Sequence, residues 1–400
     1  MDPEPSGVLQ GRTHARLRIA FYAPLKPLDH LRPSGDLVIG TGLYHFLQGR
    51  GHGLGKISRL RARWIYWKPW LWPQVVRNRN RSFYHCRKMA ADLWLTYHSY
   101  YKAPDLLGPP CCRRLGIPYV IFQGIYSTKR RKHWTTWGGF VLNRQALLAA
   151  HHVFTNRKED SVNLARIVPE KSLTYVAPGI FPEQFCFDSS SRKQLRRHMD
   201  ISEGIVVVTA AMFRPGVKTE GLSWVIRSCG ELFRENVPLY LLIAGDGKEG
   251  PRLRQMADHW LPGRVRFLGK VAREEMYRFY SAGDLFVFPG IRESLGMVYL
   301  EAQSCGLPVV AFADGGVPEV VEDEVSGFLV HPFDLRGFNQ AIARLMNDSG
   351  MRRQMGKAAS SYVRSRHDLN KNYRIVEDIL LGLAQGKRDE RDGRDEREGV

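Results

Sequence analysis

The chain of 400 residues is short of several things, and each shortage closes off a class of function. Its six cysteines (Cys86, Cys111, Cys112, Cys186, Cys229, Cys305) form no CxxC pair and no Cys/His metal spacing. That argues against a zinc site or a disulfide framework and for reduced thiols, several of them in a core. No apolar run approaches the roughly 20 residues that span a bilayer, and the N-terminus has no apolar signal region, so a cytoplasmic protein is expected. There is no Walker loop, no GxGxxG and no Asp-x-Asp pair to hold a divalent metal on a diphosphate. Phosphate chemistry here has to rest on Arg, Lys and helix N-termini, and no cofactor and no metal is expected.

Acidic residues are scarce in one half only. None occurs between Asp36 and Asp92, or between Asp105 and Glu159. Residues 1–180 hold 28 Lys+Arg against 9 Asp+Glu, whereas residues 181–400 hold 31 of each, so the whole net charge of +19 belongs to the first part. Such a concentration implies an anionic partner: a membrane surface, an acidic substrate or nucleic acid.

What is present is a repeated alternation of apolar runs with helical stretches, which predicts parallel sheets covered on both faces. The length suits two domains. In the first, strands are expected at 17–23, 93–97, 119–122, 152–155 and 173–176. In the second they are expected at 205–211, 239–244, 265–268, 284–288, 308–312 and 327–330. The expected boundaries are 1–182 for a basic first domain and 183–368 for the second. A helical segment, 369–386, is expected to cross back to the first domain, and a charged tail, 387–400, to be disordered. Residues 50–88 break the alternation: Trp64, Trp67, Trp70 and Trp72 fall within nine residues, interleaved with Arg and Lys. Membrane contact, core packing and nucleic-acid binding all remain open for this segment. A cationic run, Lys129-Arg-Arg-Lys132, follows the strand ending at Gln123 and should line a ligand site beyond the strand C-termini.

One helical stretch, Ser294 to Cys305, is apolar on all sides and holds a lone carboxylate, Glu301; Glu293 sits just before it, with seven residues between the two. An ionised carboxylate is costly to bury unpaired. Glu301 therefore either has a structural partner, a backbone amide or an Arg, or, like Glu293, faces a polyhydroxylated ligand. The turn Met212-Phe-Arg214-Pro-Gly216-Val-Lys218 places two cations at a strand C-terminus, which suits a diphosphate or a solvated loop. Ser34-Gly35-Asp36 suits an anion or sugar at the start of a helix, or a plain N-cap.

These pieces resemble a family 4 glycosyltransferase of GT-B fold: α/β, two Rossmann-like parallel-sheet domains facing across a cleft. The resemblance is carried by Glu293 and Glu301 within Arg292-Glu-Ser-Leu-Gly-Met-Val-Tyr-Leu-Glu-Ala302. Gly245-Asp-Gly247, Tyr280-Ser-Ala-Gly-Asp284, Gly306-Leu-Pro-Val-Val310 and Gly315-Gly-Val-Pro-Glu319 support it. It implies that the second domain binds a nucleotide-diphosphate sugar and the first an acceptor. Glu293 would bond the sugar, near the amides of Ser294, Leu295, Gly296 and Met297, with Gly245 leaving room. Glu301 would bond the ribose, and Arg214 and Lys218 would stabilise the leaving diphosphate. Transfer would retain the anomeric configuration and need no metal. On the acceptor side Ser34, Gly35 and Gln123 are the candidates; Gln123 stands where many relatives carry His, and Ser34-Gly35 where Gly-Gly is frequent. The expected acceptor is an anionic or lipid-linked glycan at the inner face of the cytoplasmic membrane, with an anionic membrane surface as partner and no nucleic acid. The alternatives are a soluble sugar or sugar-phosphate acceptor, or a basic nucleic-acid-binding protein without transferase activity.

Overall fold

The computed structural model describes residues 16–29, 35–201, 203–235 and 237–398. They form two compact units. One takes the chain up to Thr155, Glu159–Tyr175 and everything from Tyr373 onward; the other takes Asn156–Lys158 and Val176–Asn372.

The first unit is built on six strands: β1 (Arg18–Tyr22), β2 (Gly53–Ser58), β3 (Leu93–Ser99), β4 (Tyr119–Gly124), β5 (His152–Thr155) and β6 (Leu173–Tyr175). All pair in parallel, in the order β2-β1-β3-β4-β5-β6. The helices between them are α1 (Gly35–Gly49), α2 (Trp72–Lys88), α3 (Gly108–Leu115), α4 (Trp134–Ala149) and α5 (Lys158–Leu164). The central strands β3 and β4 are buried almost throughout, and each large apolar side chain so placed stabilises by roughly 1.5–3 kcal/mol. Asp105 ties the start of α3 to the sheet. It accepts from Thr96 Oγ1 (2.5 Å), Tyr119 Oη (3.0 Å) and the amides of Leu107 (2.8 Å) and Gly108 (2.9 Å). Burial nonetheless pushes its carboxyl above the ordinary range, outweighing those donors.

The second unit repeats the plan with β7 (Ile205–Ala210), β8 (Leu239–Ala244), β9 (Val265–Gly269), β10 (Leu285–Val287), β11 (Val309–Phe312) and β12 (Gly327–Val330). Its order is β12-β11-β10-β7-β8-β9, again parallel throughout. Preceding and covering it are α6 (Ser189–His198), α7 (Val217–Arg234), α8 (Gly250–Trp260), α9 (Met276–Ala282), α10 (Met297–Ser304), α11 (Leu335–Asn347) and α12 (Ser349–Arg366). Strands sandwiched by helices are wet on neither face, which is why β7, β8, β10 and β11 read as unbroken apolar runs. Asp284 pins α6 to this sheet through Arg192 (2.6 Å), Arg196 (2.7 Å) and the Val206 amide (2.7 Å). Although burial opposes ionisation, the two guanidinium groups and that amide together hold its carboxyl below the ordinary range.

Four features depart from the sequence reading. The strand β2 lies within 50–88, where none was expected; its sequence, Gly-Leu-Gly-Lys-Ile-Ser, is glycine-rich because it is an edge strand beside β1. The division falls at Tyr175/Val176, not at 182. Pro178 to Ile180 sit in the second unit, where the Ile180 amide donates to His367 O (2.9 Å) and His367 Nδ1 lies 2.6 Å from Pro178 O. The helix expected from Ser294 begins only at Met297, because Gly296 takes a left-handed backbone at its N-cap. Last, 387–398 is not without structure: it continues α13 (Leu369–Glu398). Within it Arg388 Nη2 donates to Asp92 Oδ1 of the first unit (2.7 Å).

The chain returns to the first unit within α13. Tyr373 Oη donates to Ile39 O (3.2 Å). Buried Glu377 accepts from Arg50 Nε (3.0 Å) and lies 2.9 Å from His52 Nε2. Among the described residues no helix is long and apolar enough to cross a membrane.

Candidate functional site

In the second unit the chain runs outward from β7 through β8 to β9, then from β10 through β11 to β12 in the opposite direction. The strand order therefore switches between β7 and β10, and the loops that leave these two neighbours diverge. In open parallel sheets the crevice beyond the carboxyl ends at such a switch is where ligands bind.

Lys218 and Glu293 meet there. Lys218 is the second residue of α7, after the turn that leaves β7; Glu293 lies in the loop that leaves β10. Their side chains form a partly buried ion pair, and the Lys218 ammonium stands 5.4 Å from the centre of the Phe288 ring. A lysine held this way is a point charge ready for a phosphate, and a half-buried carboxylate beside it can accept from hydroxyl groups.

The loop around Glu293 is fixed by its neighbours. Arg292 has a left-handed backbone, φ 52°, and its amide donates to Asp314 Oδ2 (2.8 Å). The Glu293 amide donates to Gly290 O (2.9 Å), and Glu293 O accepts from the Gly316 amide (2.8 Å). A Cβ on Gly315 would stand 2.2 Å from Glu293 O, so only glycine lets that turn approach. Ser294 and Leu295 continue the loop, and Gly296 and Met297 open α10. All four sequence-expected residues thus follow Glu293 directly, but Ser294 and Leu295 lie ahead of the helix and not within its first turn.

Arg214 is exposed in the turn after β7, where its carbonyl accepts from Thr219 Oγ1 (2.6 Å). Gly245 lies in the loop after β8, with φ 148°; a Cβ there would fall 1.9 Å from Ala211 O. The two loops are laced together by Phe213 N to Asp246 O (3.0 Å) and Glu249 N to Phe213 O (3.2 Å).

Glu301 is buried in α10 and already has protein partners: Arg273 Nη1 donates to Oε1 (2.7 Å) and Tyr280 Oη to Oε2 (3.0 Å). Burial raises its carboxyl above the ordinary range, with Arg273 and Tyr280 opposing. Of the two accounts the sequence left open, a bond to an Arg is therefore present. Arg273, in the short turn before α9, and Tyr280 were not foreseen as its neighbours. Tyr280 lay within a quoted motif; nothing in the sequence marks Arg273.

On the first unit, Ser34 lies outside the described residues and Gly35 is the first residue of α1. Gln123, the penultimate residue of β4, is in an unusual state. Its backbone is left-handed (φ 62°), its side chain is buried, and Oε1 has no partner. Such strain and an unsatisfied buried oxygen are features that ligand sites retain. The Lys129–Lys132 run forms a short 3-10 turn leading into α4. Among the described residues no group of three or more His, Cys, Asp or Glu side chains is placed to hold a metal ion.

The model of the family "Glycosyl transferases group 1" matches residues 205–362, which span β7 to α12. Over 392 residues the chain is 34% identical to the D-inositol 3-phosphate glycosyltransferase of Salinispora tropica, covering 92% of this chain and 77% of that protein. Over 302 residues it is 28% identical to the GDP-mannose-dependent alpha-(1-6)-phosphatidylinositol monomannoside mannosyltransferase of Mycolicibacterium smegmatis, covering 72% and 76%. Among solved structures, Anabaena HepE in complex with UDP superposes with a TM-score of 0.72 at 18% identity, over 92% of this chain and all of that one. Two six-stranded parallel sheets in this topology are the GT-B architecture, and the chain belongs to the family 4 glycosyltransferases.

Proposed function

We propose that the protein transfers a sugar from a nucleotide-diphosphate sugar to an acceptor hydroxyl with retention of configuration and without a metal. The acceptor is an anionic or lipid-linked glycan at the cytosolic face of the membrane. The observation that carries the reading is the Lys218–Glu293 pair at the β7/β10 switch.

Lys218, with Arg214 on the same turn, neutralises the diphosphate as the bond from the anomeric carbon to phosphate oxygen breaks. Glu293 accepts from hydroxyls of the sugar and holds it in place. The loop amides of Ser294 to Met297 face the charge that develops on the leaving oxygen. The new bond forms from the acceptor oxygen to the anomeric carbon on the same face, and the acceptor proton passes to the leaving phosphate. Gly245 keeps the neighbouring turn thin enough for the nucleotide. Glu301 bonds the ribose hydroxyls, sharing its carboxylate with Arg273 and Tyr280. In the first unit Gln123, whose Oε1 lacks a partner, accepts from a sugar hydroxyl. HepE was solved with UDP, and the mannosyltransferase relative is named for GDP-mannose, which supports a nucleotide-sugar donor. Both named relatives carry a phosphate-bearing inositol in their names, which supports an anionic acceptor, as does the charge of residues 1–180. A second reading, with a soluble sugar phosphate as acceptor, is favoured by the name of the 34% identical relative.

A panel of nucleotide sugars, scored for thermal stabilisation and for slow donor hydrolysis, tests the reading. One sugar nucleotide should raise the melting temperature in wild type and lose that effect in Lys218→Met. If no nucleotide sugar stabilises the protein, the donor assignment fails.

A further inference from the structure

We propose that an aromatic and cationic surface of the first unit, formed jointly by residues 67–81 and 129–137, docks on an anionic lipid bilayer. The proposal rests on the membrane-facing reading given above, and not on the donor chemistry.

The sequence presents these as two separate segments. The structure joins them. The Trp67 and Trp134 rings meet edge to face with centroids 5.3 Å apart, and Trp67 Nε1 donates to Thr135 O (2.8 Å). Beneath them Tyr66 lies against Gly138 and Gly139 of α4, so close that a Cβ on Gly139 would stand 2.4 Å from its ring. Thr136 Oγ1 donates to Arg130 O (2.7 Å), which ties the cationic turn to the same helix.

The segment around the tryptophans buries part of its apolar residues and leaves most of its indoles exposed. Ala62, Ile65, Val75, Phe83 and Cys86 enter the core. The indoles stay outside: Trp70 is 68% exposed, Trp134 78% and Trp137 56%. Leaving large rings in contact with water serves no folding purpose, whereas indoles are favoured at the headgroup level of a bilayer. Cations surround them. Lys129, Arg131 and Lys132 are exposed beside Trp134, and Arg77 and Arg81 lie one turn apart on the outer side of α2. Neither 37–91 nor 106–158 contains an acidic residue, so neither segment carries a carboxylate of its own. Arg59 is set apart, being paired with Asp29 (2.6 Å). Exposed indoles among exposed Lys and Arg side chains match a surface with apolar depth and anionic headgroups.

The test uses the full chain with vesicles of phosphatidylcholine, with and without phosphatidylglycerol, read by co-sedimentation and by quenching of tryptophan emission with brominated lipid. Wild type should bind only the anionic vesicles, less so as salt shortens the range of the charges, about 10 Å at 0.1 M. Replacing Lys129, Arg131 and Lys132 by Ser should weaken binding about a hundredfold, at about fivefold (~1 kcal/mol) per cation. Trp70→Ser with Trp134→Ser should remove the quenching while leaving the melting temperature in place. Equal binding by wild type and both variants overturns the proposal. So does wild-type binding to RNA, or self-association lost in the variants, without binding to vesicles. Stabilisation by a nucleotide sugar should be unchanged in the variant with Trp70→Ser and Trp134→Ser. A wild type that responds to donor but ignores vesicles loses only the docking surface; one that binds vesicles but no donor loses only the transferase site.

Discussion

The two units share a sheet plan and differ in where their special residues lie. In the second, Arg214, Gly245 and Glu293 sit in loops at the carboxyl ends of strands and Lys218 in the first turn of α7, around one switch in strand order. Charge is balanced, 31 of each sign, over residues 181–400, which hold most of this unit and the end of the chain that returns to the first. In the first, two residues next to strand ends, His98 and Gln123, have left-handed backbones, and a further peculiarity lies on the outside, in exposed indoles and arginines. The difference teaches that a shared architecture can divide labour by location. Strand ends hold a small polar ligand in a fixed geometry, whereas a helix-and-turn surface can meet something broad and poorly ordered.

The largest effect should come from breaking the strand-end site. Lys218→Met should lower kcat/KM by about 10²–10³-fold, the range seen when a preorganised group facing developing charge is removed. Glu293→Ala should abolish transfer with the fold intact by circular dichroism. Trp70→Ser, measured on a water-soluble acceptor, should leave kcat/KM unchanged. If the Trp70 variant loses as much as the Lys218 variant on that acceptor, the division between the units collapses.

Next comes the backbone that shapes the site. Gly245→Ala puts a Cβ 1.9 Å from Ala211 O at φ 148°, so the two loops must separate. The cost should be about 1–3 kcal/mol for the forced backbone. That corresponds to a fall in melting temperature of about 2–4 °C per kcal/mol for a unit of this size. A melt that matches wild type would show that the loop has more room than its hydrogen bonds with Phe213 imply.

What could be read from the sequence follows from what each residue needs. Strands β7, β8, β10 and β11 were legible because burial on both faces leaves only apolar runs. Glu293 and Lys218 were legible as a carboxylate and a cation at strand ends, but that they pair depends on β7 and β10 being neighbours, and order in a sheet has no local signal. Arg273 was invisible because it reaches Glu301 across 28 residues from a turn with no distinguishing pattern. The same holds for Glu377, which reaches Arg50 and His52 after more than 300 residues. Strand β2 was hidden by its glycines. Helix α10 was read three residues early, since its start depends on the left-handed Gly296 and not on hydropathy. For the tryptophan segment the sequence left core packing, membrane contact and nucleic-acid binding open; the structure buries Ala62, Ile65, Val75, Phe83 and Cys86 and leaves Trp67, Trp70 and Trp72 exposed.

The finest comparison is between two aspartates. Asp284 of the second unit is held below the ordinary carboxyl range by Arg196, Arg192 and the Val206 amide, against the cost of burial. Its stabilisation is therefore present above the unfolded value, about 3.9, and is lost as pH falls through the lower folded value. Asp105 of the first unit is raised by burial. Its folded form holds a proton more tightly than the unfolded chain, so acidification from neutral pH relieves a cost and favours folding. Through these two groups, lowering the pH should loosen the second unit and firm the first. Hydrogen exchange resolved by peptide, corrected for intrinsic rates, should show protection in β7 and α6 falling at acid pH while that of β3 and α3 holds or rises. Asp284→Asn should weaken β7 and α6 already at pH 7 and flatten their response, leaving β3 and α3 alone. If both units lose protection in parallel, and the variant keeps the wild-type slope, the paired guanidinium groups do not set the acid stability of the second unit.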